Sequence, residues 1–159
     1  MSLSHPKPIA IKGAKLSFGI VAARYNADLV EALLQSVLAG LKDAGVNKRK
    51  IEVVRVPGSH EVPVAALWLA QTGKRNCVVA LGVLIGGDTK HHEMVGQSVS
   101  HALQEVSLRA SIPVINGVIV ADTFKQAQAR CLGSINRGAE FARAALEMAA
   151  LNRAIGEKS

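Results

Sequence analysis

A chain of 159 residues in which 49% of side chains are hydrophobic but only 3% aromatic has the size of one domain and must build its core from aliphatic residues and alanine. The net charge of +7, from 19 basic and 12 acidic residues, points to an anionic small molecule ahead of nucleic acid, because the one basic run, Lys48-Arg49-Lys50, has no interleaved aromatics to stack bases. Cys77 and Cys131 lack metal-ligand spacing and read as reduced core residues; with no charged-then-apolar leader and no apolar run near the ~20 residues that span a bilayer, a cytoplasmic protein is expected.

Residues 1–13, with Pro6 and Pro8, read as an arm able to add an edge strand to a neighbouring subunit. Residues 14–155 follow as a single domain, and 156–159 as a tail. Lys15 to Ala23 reads as the first strand. Arg24-Tyr25-Asn26 interrupts it, and a helix from Asp28 places Leu29, Leu33, Val37, Leu38 and Leu41 on one face and closes at Gly45. Ile51 to Val56 is the second strand. Pro57-Gly58 turns it into a helix starting near Ser59, with Glu61 in its first turn and Pro63 early enough to be tolerated.

The stretch VVALGVLIGGDTKHHEMV, Val78 to Val95, organises the rest. Its apolar run to Ile85 has the pattern of a parallel strand covered on both faces. Gly86-Gly87 ends it, and Asp88 or Thr89 caps a helix whose core face runs through Val95, Val99, Ala102, Leu103 and Val106 to Arg109 or Ala110. His91, four residues before Val95, is expected on the inward side of the first turn. A strand end, free backbone N–H groups and an ionisable ring thus meet where open α/β sheets bind ligands.

Pro113 opens a fourth strand, VINGVIV, in which Asn116 and Gly117 imply close backbone approach or a hydrogen-bonded ligand. A short helix from Thr123 to Arg130 leads through Gly133 and Asn136 to a last helix, Arg137 to Arg153, with Phe141, Ala145, Met148 and Ala149 repeating helically. Alternating strands and helices predict a parallel α/β sheet with helices on both faces.

Three stretches, VPGSHEVP (Val56 to Pro63), GVLIGGDTKHHEMV (Gly82 to Val95) and NRGAEFARAALEMAAL (Asn136 to Leu151), together resemble the lumazine synthase family of riboflavin biosynthesis. ARYN after the first strand and PVINGVIV in the fourth agree in position, and the resemblance runs from about Leu16 to Leu151. It implies a flavodoxin-like three-layer α/β/α sandwich with a four-stranded parallel sheet, assembled into pentamers or larger shells with active sites between subunits. The implied reaction condenses 5-amino-6-(D-ribitylamino)uracil with 3,4-dihydroxy-2-butanone 4-phosphate to 6,7-dimethyl-8-ribityllumazine, phosphate and water. No metal or organic cofactor is called for, and riboflavin synthase is an implied partner.

By the same resemblance His91 is the proton-transfer residue, a task suited to a group that titrates near neutral pH. His92 stands where the family usually has Tyr or Phe and reads as packing or a minor contributor. Asp88 and Thr89 match backbone positions that hold phosphate at a helix start. Arg130 matches an arginine that grips the phosphate from the neighbouring subunit, and Arg137 falls where a lysine is common, after a loop one residue shorter. Tyr25 matches the aromatic residue that stacks on the pyrimidine, and Asn26 follows it toward the ribityl chain. Ser59, His60 and Glu61 match the ribityl-binding segment. Val83, Leu84 and Ile85 match strand-end positions whose backbone reads the uracil edge. Asn116 and His60 replace residues that are usually Phe, which alters the lining of the ring pocket.

Each assignment has a plainer reading: helix caps for Ser59, Asp88 and Thr89, solvated helix ends for the arginines, a half-buried packing residue for Tyr25. Two other functions compete. One is a flavodoxin-like module that binds flavin, lumazine or nucleotide without turnover, and the other is a basic nucleic-acid-binding protein with a steep salt dependence.

Overall fold

The computed structural model describes residues 7–157. Its four strands, β1 (Phe18–Ala23), β2 (Ile51–Val56), β3 (Cys77–Ile85) and β4 (Val114–Ala121), form one sheet in the order β2-β1-β3-β4, and every neighbouring pair is parallel. Between and after them run α1 (Ala27–Asp43), α2 (Val62–Gln71), α3 (His91–Ala110), α4 (Phe124–Cys131) and α5 (Arg137–Gly156).

Alternation along the strands produces two cores. Phe18, Ile20 and Ala22 of β1 and Cys77, Val79, Leu81 and Val83 of β3 face α1, α4 and α5, whereas Val21, Ala23, Val78 and Ala80 face α2 and α3. This is the expected α/β/α sandwich. Both interior strands are buried along nearly their whole length, which is why their sequences read as unbroken apolar runs rather than alternating ones.

Several boundaries differ from expectation. Residues 15–17 are not strand: a turn follows Gly13, whose N–H donates to Ala44 O at 2.7 Å, and β1 starts only at Phe18. Ser59–Glu61 forms a 3-10 turn, and α2 begins only at Val62 with Pro63 in its first two positions. Proline's missing N–H is harmless there. Neither Asp88 nor Thr89 caps α3; Lys90 occupies that place without a side-chain cap. Met148 lies outside the buried stripe of α5. The expected edge-strand arm falls partly on residues 1–6, outside the described residues, and residues 7–13 have no regular structure.

Both cysteines are buried and free. Burial pushes both thiols up, Cys131 to about 11 even with Arg130 pulling the other way, so neither supplies a thiolate nucleophile near neutral pH. Among the described residues no helix is long and apolar enough to cross a membrane.

Candidate active site

The sheet order reverses direction between β1 and β3: from β1 the chain moves outward to β2, then returns to β3 and moves the other way to β4. Loops at the carboxyl ends of β1 and β3 therefore diverge, and a crevice opens between them. A cleft of about 290 Å³ occupies that position.

The strand register explains what the cleft offers. β1 pairs with β3 only as far as Ala22 opposite Leu81, whereas β3 continues beside β4 to Ile85. From Val83 to Ile85 the β1-facing edge of β3 thus has no strand partner, and backbone polar groups require one. The Val83 carbonyl accepts from Asn26 Nδ2 at 2.8 Å. Gly86 N–H donates to Ala121 O on the other side, so by alternation Ile85 shares the open edge with Val83, and the backbone of Leu84 faces β4. Leu84 is also among the residues that line the cleft.

Asn26 reaches Val83 because its backbone is left-handed, at φ 53°, where it begins α1. Asparagine tolerates that region better than most residues. Asn26→Ala is expected to lower stability by about 2 kcal/mol, the sum of a lost hydrogen bond and left-handed strain. Asn26→Gly, which relieves only the strain, should recover about half in urea unfolding.

The β2–α2 turn forms the opposite wall. Glu61 Oε2 accepts from Gly58 N at 2.8 Å, and the Tyr25 ring lies so close to Gly58 that a Cβ there would approach Tyr25 Cδ2 at 3.3 Å. The turn sets Ser59 in the cleft lining, where its hydroxyl is buried with no hydrogen-bond partner among the described residues. A Cβ at Gly82 would overlap that hydroxyl, so the bare strand makes room for it. His60 points away and is exposed. Tyr25 keeps 73% of its surface exposed, leaving one face free for a ring.

The floor ends at Thr89 and His91. Thr89 Oγ1 accepts from His91 N at 3.4 Å. The expectation that His91 faces inward is overturned: His91 is exposed at the rim and His92 is buried. The helix phase gives the reason, since the buried positions Val95, Val99, Leu103 and Val106 extend backward to His92. Gly87, read in the sequence only as the end of the strand, also joins the lining. A flexible glycine after a strand is its only sequence signal.

The cleft thus gathers Tyr25, Asn26, Ser59, Thr89, His91 and His92 with the end of β3. Asp88, Asn116, Arg130 and Arg137 do not line it within the protomer. Asn116 is exposed on edge strand β4 rather than in a buried strand; its amide accepts from Val118 N at 3.1 Å and donates to Ser100 Oγ at 3.3 Å. Arg130 donates to Gln126 O at 3.0 Å along α4. Arg137 pairs with Glu140 and lies 5.5 Å over the Phe141 ring.

A family model for 6,7-dimethyl-8-ribityllumazine synthase matches residues 15–153. A protein of that name from Xylella fastidiosa is 40% identical over 142 residues, covering 89% of this chain and 92% of its own length. One from Xanthomonas oryzae pv. oryzae is 41% identical over 132 residues, covering 82% and 86%. The matched span contains every strand and the whole cleft; the chain belongs to the 6,7-dimethyl-8-ribityllumazine synthase family, transferases of riboflavin biosynthesis.

Proposed function

We propose that this chain condenses 5-amino-6-(D-ribitylamino)uracil with 3,4-dihydroxy-2-butanone 4-phosphate in a site completed by a neighbouring copy. The carrying observation is the cleft between β1 and β3, which sets the His91 ring beside a free backbone edge and an unpartnered Ser59 hydroxyl. The pyrimidine stacks on Tyr25, with its polar edge against the open backbone of β3. Ser59 and Asn26 face the ribityl hydroxyls. Glu61 shapes that wall through Gly58.

Thr89 and the positive amino-terminal end of α3 favour the phosphate. As the amine of the uracil attacks the ketone, His91 moves protons between nitrogen and oxygen; imine formation, phosphate loss and ring closure follow. A cleft of about 290 Å³ lies at the lower edge of ligand cavities, ~300–1,000 Å³, which fits half of a shared pocket. Arg130 stands on α4 near the exposed apolar side chains Phe124, Leu132 and Ile135. These suit a face covered by another copy, and we assign that copy's Arg130 to the phosphate. Arg137 and Asn116 are assigned to the same neighbour's side of the pocket, Asp88 to the phosphate loop and His60 to the pocket rim.

The assembly proposed is a homopentamer in the cytoplasm, with riboflavin synthase as partner. Mixing both substrates should give the product's absorbance and fluorescence above the uncatalysed rate. A binding module would add nothing to that rate.

Arg130→Ala should raise KM for the phosphorylated ketone about tenfold to a hundredfold, the effect of losing a charged hydrogen bond of ~1.5–3 kcal/mol, with a smaller change for the uracil. Coexpressed His91→Ala and Arg130→Ala chains should recover activity, because some interfaces then pair two intact halves. Mixed assemblies no more active than either parent would place the site within one protomer.

A further inference from the structure

One cluster begins in the cleft wall, at His92, and has been given no role in the reaction described. His92, in the first turn of α3, carries an imidazole that is 10% exposed, and neither ring nitrogen has a hydrogen-bond partner among the described residues. Its Nε2 lies 3.6 Å from Asp122 Oδ1, just past the end of β4. Glu93 adds a second carboxylate, and the three donor atoms all fall within 4.8 Å of one another.

A buried imidazole aimed at a carboxylate beyond hydrogen-bond reach is poorly satisfied by the protein alone. Zinc-type bonds of ~2.0–2.2 Å place two tetrahedral ligands ~3.3–3.6 Å apart, which matches the His92–Asp122 separation. Glu93 and Asp122 are exposed, so their carboxylates can adjust, and an ion can enter from solvent.

We propose that His92, Glu93 and Asp122 form a three-ligand site for a divalent transition-metal ion of the Zn²⁺ or Co²⁺ class. One imidazole and two carboxylates suit that class, and a fourth position stays open to water. The ion would tie the first turn of α3 to the end of β4. His91 is the adjoining residue, so occupancy would fix the helix start that carries it.

Titrating the purified, assembled full-length protein with Co²⁺ should give a visible d–d absorption band that saturates at one equivalent per protomer and is displaced by Zn²⁺. Zn²⁺ should also raise Tm. Asp122→Asn, at an exposed position, and His92→Phe should each weaken Co²⁺ binding about tenfold or more and abolish the Zn²⁺ shift in Tm, whereas His91→Ala should retain the band. Absence of the band at one equivalent overturns the site. So does a band left unchanged by Asp122→Asn, which would assign the ion to other ligands. Should His92→Phe fail to fold, Asp122→Asn decides alone.

Discussion

His91→Ala is expected to lower kcat by roughly a hundredfold, at the low end of the ~10²–10⁴ that a positioned acid or base contributes. The low end applies because His91 stands exposed at the rim of the cleft, where water can take over part of the proton transfer. No hydrogen bond from the ring to the fold is found among the described residues, and the backbone N–H contact to Thr89 Oγ1 survives truncation. Stability should therefore change by less than about 0.5 kcal/mol. Steady-state rates at saturating substrates, together with urea unfolding, check both halves. An unchanged kcat would remove His91 from the chemistry.

Gly117→Val should have the largest effect on stability, about 3 kcal/mol, near the top of the range for overpacking a buried site. Gly117 lies opposite Leu81 in the β3–β4 ladder. A Cβ there would fall 2.7 Å from Ala80 O and Leu81 Cδ2, and 3.0 Å from Phe141 Cδ2. Leu81 and Phe141 can shift, but the Ala80 carbonyl belongs to the interior strand and cannot move without disturbing the sheet. Gly156→Ala makes the contrast, since nothing lies within 4 Å of a Cβ at that helix end. Urea midpoints should separate the two variants clearly, and a Gly117→Val protein as stable as wild type would refute the packing argument.

Much of this site was legible in the sequence because local chemistry announces itself. The apolar run before Gly86-Gly87 has the composition of a strand buried on both faces, and HH followed by EMV begins a helix whose stripe is visible in its spacing. Asn116 shows where such reading fails. An amide in an apolar run suggests a buried strand with a ligand, yet β4 is the sheet's edge and Asn116 is exposed there. Apolar composition alone does not distinguish interior from edge strands. His91 and His92 fail for a related reason. Spacing of three and of four from Val95 both fit a helical face, and only the position of the helix start decides which ring turns inward.

By itself the sequence determined the alternation of strands and helices, the turn that carries His91, and the motif-level family resemblance, since periodicity and short-range spacing are properties of neighbouring residues. Only the tertiary structure decided that β3 outruns β1, that Asn26 takes the Val83 carbonyl, and that His92 meets Asp122. Those facts depend on strand order and register. Both are set when separated segments pack their apolar faces together, and neither is written in the spacing of any single segment.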